Sequence, residues 1–251
     1  MSQLLTLEGW YAYHDFRRIN FSQWKELSNT ERHETLEELF ELMNAWEQNE
    51  KEKKGSTSLF SINGHKADLV FIFLRPKLDE LYHIKTAINK TRWAEFAEQT
   101  ESYISVIELS NYVNKPGEDP KADPRVQARL YPTLPKTGYV SFYPMNKKRD
   151  GEDNWYTLPM EKRRELMKSH GMIGRKYAGK VQQMISGSVG FDDWEWGVTL
   201  FAQDPLQFKY LVYEMRFDEV SARYGDFGYF VVGHALGREG LTELFRVNEP
   251  T

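Results

Sequence analysis

One half of this chain echoes the other. Gly9-Trp10-Tyr11-Ala12-Tyr13, an alternating strand, recurs 129 positions later as Gly138-Tyr139-Val140-Ser141-Phe142. A Trp follows each, at Trp24 and Trp155, and then the helix starts Leu27-Ser28-Asn29-Thr30-Glu31-Arg32 and Leu158-Pro159-Met160-Glu161-Lys162-Arg163 match at an offset of 131. The apolar strands Asp68 to Phe73 and Trp196 to Phe201 run on to Pro76 and Pro205, and the helical stretches after those prolines lead to Tyr103-Ile104-Ser105-Val106-Ile107 and Tyr229-Phe230-Val231-Val232. A duplicated chain of 251 residues must satisfy one packing plan twice, in units of roughly 125 residues, each large enough for its own core.

The order in each half is strand, helix, strand, strand, helix, strand. In the first half, Leu36, Leu39, Phe40 and Met43 share one face of a helix over Thr35 to Trp46, and strands Ser58 to Ile62 and Asp68 to Leu74 flank an Asn63-Gly64 turn. Val181 to Ser186 and Trp194 to Phe201 take the same places in the second half. This predicts an α+β fold of two ferredoxin-like halves, a dimeric α+β barrel pattern in one chain. Helices on one sheet face leave the other to pack on its twin or enclose a ligand. The expected division is a structural N-terminal half at 1–117, a connector at 118–134 and a ligand-binding half at 135–251. The Pro- and charge-rich stretch from Pro116 to Pro124 either gates a pocket or merely joins the halves.

The halves differ most in their polar residues. Where the first strand of half one ends in His14-Asp15-Phe16-Arg17-Arg18, half two has Tyr143-Pro144-Met145-Asn146-Lys147-Lys148-Arg149, which sets Tyr143 opposite His14. Half two also carries a Gly-interrupted basic loop, Gly171-Met172-Ile173-Gly174-Arg175-Lys176-Tyr177, and Arg216 in its last helix. Divergence of one copy points to a site in the second half; a solvated charged rim is the competing reading.

Composition removes whole classes. With no Cys there is no disulfide framework, thiolate zinc, iron–sulfur cluster or cysteine nucleophile, so any metal is held by His or oxygen. A formal charge of -4 argues against nucleic acid as a partner. The 14% aromatic content is ample for cores and for a ligand cavity. No apolar run approaches the roughly 20 residues of a membrane helix and Met1 to Trp10 carries no signal-peptide pattern, so no membrane insertion and a cytoplasmic location are expected. Serine-hydrolase, nucleotide-loop and zinc-protease motifs are missing. Five of six His stand in ordinary settings: His14 at a strand end, His33 and His83 on helices, His65 at a turn, His234 past the last strand. His170 ends an amphipathic helix beside Met167 and before Gly171. On spacing alone it is either a single axial ligand to haem iron or a core or helix-capping histidine.

The runs Arg129-Leu130-Tyr131-Pro132, Tyr143-Pro144-Met145-Asn146-Lys147, Asn154-Trp155-Tyr156, His170 to Lys180, Glu108-Leu109-Ser110-Asn111-Tyr112 and Glu214 to Ser221 resemble the chlorite dismutase-like haem proteins. They look most like the Gram-positive branch, the coproheme decarboxylases. The resemblance spans essentially the whole chain. It implies a homopentamer that binds iron coproporphyrin III (coproheme) in its C-terminal half, as substrate and redox centre. Hydrogen peroxide then drives loss of two propionate carboxylates, giving vinyl groups, carbon dioxide and haem b. By the same resemblance His170 is the axial iron ligand, Tyr143 carries a radical and Lys147 handles a reactive propionate. Arg129, Met145, Gln183, Ser221, Tyr112, Arg175 and Arg216 are the further cofactor-binding positions. Four propionates call for charge-assisted hydrogen bonds of the kind Arg and Lys give.

Gln183 falls where chlorite dismutases carry a distal arginine, and a neutral amide cannot supply that cation. Oxygen-evolving chlorite dismutation is therefore not the expected main activity. A non-catalytic haem or coproheme carrier or sensor, or a haem peroxidase or chlorite dismutase-like enzyme, is the alternative. Because free iron porphyrin is reactive, a transient contact with coproporphyrin ferrochelatase, the iron-inserting enzyme, is also expected, although no motif marks it.

Overall fold

A computed structural model describes residues 6–110 and 122–246. The first half runs β1 (Thr6–Ile19), α1 (Phe21–Glu26), α2 (Asn29–Lys51), β2 (Ser56–Ile62), β3 (Leu69–Arg75), α3 (Leu78–Asn89) and β4 (Ala97–Ser110). After α4 (Pro124–Leu130) the second half runs β5 (Tyr139–Lys147), α5 (Met160–Arg175), β6 (Gln182–Gly187), β7 (Trp196–Ala202) and α6 (Leu206–Met215). It ends with α7 (Glu219–Tyr224), β8 (Gly225–Phe227), β9 (Val231–Ala235) and α8 (Arg238–Phe245). The strand orders are β4-β1-β3-β2 and β9-β5-β7-β6, the same plan twice, and the fold is α+β as expected.

The compact units are not cut at one point. Residues 9–104, 131–137 and 233–246 form an N-terminal unit; 6–8, 105–110, 122–130 and 138–232 form a C-terminal unit. The ends of β4 and β9 thus belong to the opposite copy, where Val106 pairs with Gly187 on β6, and Ser61 on β2 pairs with His234. Of the expected connector, 118–121 lie outside the described residues, as does Tyr112, while the remainder is described and contains α4.

In the N-terminal unit, α2 starts with a reciprocal cap: Ser28 Oγ accepts from Glu31 N–H, and Glu31 accepts from Ser28 N–H at 2.9 Å. Its inner face meets Phe71, Phe73 and Trp93 in a core that also takes in Trp24, Trp46 and Phe245, and Trp24 Nε1–H donates to the Phe245 carbonyl at 2.8 Å. Tyr13 belongs to this helix-covered core, so by strand alternation Tyr11, Asp15 and Arg17 share its face while His14 and Phe16 lie on the other.

Several expectations are corrected here. His14 lies inside β1, fully buried, not at a strand end, and burial pushes its imidazole down to about 3. His234 lies within β9 rather than beyond the last strand. Arg216 caps α6, and two helices follow it. Gly171 to Arg175 are helical: α5 continues through both glycines, because its end is tied to α6 through Glu214, which pairs with Lys176 and accepts from Tyr177 OH at 3.0 Å. Among the described residues no helix is long and apolar enough to cross a membrane.

Candidate functional site

The site grows from β5. Successive side chains of a strand alternate faces, so Tyr143, Met145 and Lys147 project the same way, Tyr143 and Lys147 roughly 13 Å apart along the strand. The register Tyr143↔Val198 and Val198↔Ile185, with Gln183↔Leu200, adds Gln183 to that face. Phe208, Leu211 and Met215 of α6 cover it, so the expected catalytic strand faces helices rather than bare solvent.

Tyr143 is buried, its ring stacked on Phe230 at 4.5 Å and tilted against Phe227 at 5.9 Å. Burial pushes its phenol up to about 12, against the pull of the Arg216 guanidinium. Arg216 in turn lies 3.7 Å from the centre of the Phe227 ring. Among the described residues the Tyr143 hydroxyl has no hydrogen-bond partner. Its hydrogen is therefore committed to no group among the described residues.

Lys147 leaves the strand end half-buried, with Nζ 5.0 Å from the centre of the Trp155 ring. Burial pulls its ammonium down to about 8, partly countered by Asp218 and Glu195. Neither carboxylate closes an ion pair with it among the described residues. This cation is available to an incoming anion.

His170 Nδ1 lies 2.8 Å from Asp218 Oδ2. Asp218 precedes α7, where an Asp ordinarily caps the helix with its side chain; here it makes no such bond and serves His170 instead. An acceptor at Nδ1 keeps the proton there and leaves Nε2 with its lone pair outward. Burial, with Lys147 adding to it, holds the imidazole below its usual range despite Asp218. The result is a neutral, oriented imidazole whose Nε2 could serve as a donor to a metal, with 26% of the side chain exposed.

Beside it α5 carries no side chain at Gly171 and Gly174. A Cβ at Gly171 would meet nothing within 4 Å; at Gly174 it would just touch Met215 at 3.4 Å and Gln183 Nε2 at 3.6 Å. A flat group can lie against such a surface where side chains would hold it off.

Ser221, buried on α7, follows Asp218 by three residues. Arg129, at the end of α4, and Arg175, at the end of α5, are exposed and make no ion pair among the described residues, so nothing in the structure joins them to the cluster. Tyr112 lies outside the described residues. Two carboxylates escaped sequence reasoning. Asp218 stands 48 residues from His170 and looks like a helix cap; Glu195 looks like a turn residue, yet is buried and accepts from Lys147 N–H at 3.0 Å.

The chlorite dismutase family model matches residues 25–236. Among solved structures, a heme-binding protein from Thermus thermophilus is 49% identical, with 96% of each chain covered and a TM-score of 0.92. A mutant chlorite dismutase from Candidatus Nitrospira defluvii superposes at a TM-score of 0.77 over 97% of this chain and 98% of its own, with 21% identity, a likeness of fold.

Proposed function

This chain belongs to the chlorite dismutase family, and from that premise we propose that it is a coproheme decarboxylase, converting iron coproporphyrin III to haem b with hydrogen peroxide. The observation that carries the reading is Lys147: a cation without an ion pair among the described residues, on the same strand face as a tyrosine without a hydrogen bond among them, within electrostatic reach of an oriented neutral imidazole. A relative of 49% identity described as heme-binding supports the ligand class.

The residues present fit an anionic iron porphyrin. His170 Nε2, backed by Asp218, would hold the iron; the absence of side chains at Gly171 and Gly174 would leave room for a planar ring; Lys147 and Arg216 would meet its carboxylates. When bound, the iron porphyrin supplies the oxidising power of peroxide. Tyr143 gives up an electron and its hydroxyl proton, then recovers a hydrogen atom from the propionate β-carbon. Lys147 holds that propionate's carboxylate until it leaves as carbon dioxide. For each side chain, –CH2CH2COO⁻, hydrogen peroxide and a proton become –CH=CH2, carbon dioxide and two waters. Gln183 offers a neutral amide on the same face, suited to a hydrogen bond with peroxide or water. It does not favour chlorite chemistry, which calls for a cation there. The homopentamer, the cytoplasmic location and the contact with a ferrochelatase belong to this proposal on the strength of the resemblance.

Tyr143→Phe tests the radical role. Decarboxylation is expected to fall by about a thousandfold or more while coproheme affinity stays within about threefold, since the phenyl ring keeps the stack on Phe230. Retained turnover would remove Tyr143 from the mechanism.

A further inference from the structure

We propose that Glu195 is the positioning residue that sets where the Lys147 ammonium stands, acting from both the strand and the turn beneath it; this rests on the decarboxylase reading of the site.

The β5–β7 ladder runs from Tyr139↔Ala202 to Met145↔Trp196 and there stops. Continued, it would set Asn146 opposite Glu195 and Lys147 opposite Trp194. Side chains take over at that point. Glu195 N–H donates to Asn146 Oδ1 at 2.9 Å, and Lys147 N–H donates to Glu195 Oε2 at 3.0 Å. The Trp194 carbonyl is turned away, accepting from Ser188 Oγ at 2.6 Å. The strand end bearing Lys147 is thus held by a buried carboxylate where the β7 ladder gives out, while β8 pairs along its other edge.

The same carboxylate reaches the turn. The Tyr156 phenol faces Glu195, which adds to the effect of burial in raising it, and Tyr156 adjoins Trp155, whose ring underlies the Lys147 ammonium. Arg149 Nη1 stands 3.7 Å from Glu195 Oε1 on the solvent side. Backbone and ring platform are therefore referred to one group. The titratable groups facing Lys147 are Glu195 from the β7 side, Asp218 before α7 and His170 on α5.

The test is a double-mutant cycle read by binding of metal-free coproporphyrin III to the full chain, which needs neither iron ligation nor peroxide. Glu195→Ala is expected to weaken binding about tenfold in the wild-type background and by less than about twofold in Lys147→Met, because its effect runs through Lys147. Glu195→Gln, which keeps an acceptor for Lys147 N–H, should restore affinity to within about threefold. Glu195→Asp, a methylene too short to reach, should behave as Glu195→Ala and serves if that variant fails to fold. Wild-type affinity in Glu195→Ala and Glu195→Asp, or equal losses with and without Lys147, would overturn the assignment. A coupled cycle in a protein that never decarboxylates coproheme would overturn the activity and leave the positioning role standing. Decarboxylation with an uncoupled cycle would do the reverse. No binding of metal-free coproporphyrin by the wild-type protein would overturn the positioning role, and the activity would then be decided by decarboxylation of coproheme.

Discussion

β1 and β5 hold the same place in their two units and have opposite uses for the same three positions. The helix-covered face of β1 carries Tyr13, Asp15 and Arg17; that of β5 carries Tyr143, Met145 and Lys147. The faces match only if the copies are aligned with an even offset, and 130 pairs tyrosine with tyrosine and cation with cation. The 129-residue offset, which set His14 against Tyr143, is out by one, and a one-residue slip turns a strand over. On this face of β1 the two charges, Asp15 and Arg17, satisfy each other. Arg17 donates to both oxygens of Asp15 at 2.9 and 2.8 Å, to the Ala97 carbonyl at 3.1 Å and to Asn89 Oδ1 at 2.9 Å. In the C-terminal unit Met145 stands where the acid does, and Lys147 closes no ion pair among the described residues. On the proposed reading, the difference between the copies is a partner absent from the β5 face rather than a charge added to it.

The contrast can be broken from either side. The largest effect is expected from Asp15→Ala, which strands a buried guanidinium. Urea unfolding should show a loss of about 3–5 kcal/mol, with coproporphyrin affinity unchanged in the folded protein. A loss under about 1 kcal/mol would mean that Arg17 is not held as the geometry says. Met145→Asp carries the N-terminal arrangement into the site, placing a carboxylate two residues before Lys147. Coproporphyrin affinity should drop by about 10- to 100-fold, and unaltered affinity would mean that the free cation is not what the ligand uses.

A smaller effect follows from the Lys147 ammonium, which burial pulls down to about 8. Carboxylate binding needs the protonated form, so affinity should hold below that pH and fall by up to about tenfold per unit above it. Stability should move oppositely. Between about 8 and the ordinary 10.5 the unfolded chain binds more protons at this group, so its contribution to stability rises with pH. Lys147→Met should flatten both trends; a variant that keeps the binding slope would assign the titration to another group.

The duplication, the element order and the tyrosine-x-methionine-x-lysine face of β5 were legible because strand and helix periods leave direct marks on a sequence. The register between the copies was not, since Gly-aromatic runs align almost equally well one residue apart. Gly171 looked like a helix stop because glycine usually ends helices at exposed positions; the ties from Lys176 and Tyr177 to Glu214, 38 and 37 residues away, carry α5 past it. Asp218 and Glu195 were invisible for a related reason. Each carries an ordinary local explanation, and only the folded chain brings it to His170 or Lys147.

The most direct measurement is the mass of the porphyrin after ferric coproheme on the wild-type protein is titrated with hydrogen peroxide. Loss of the elements of carbon dioxide and two hydrogens from each of two side chains, at one peroxide per side chain, is the predicted result. Coproheme that stays intact or only bleaches would contradict the account, leaving a binding protein in which the freed cation serves capture alone.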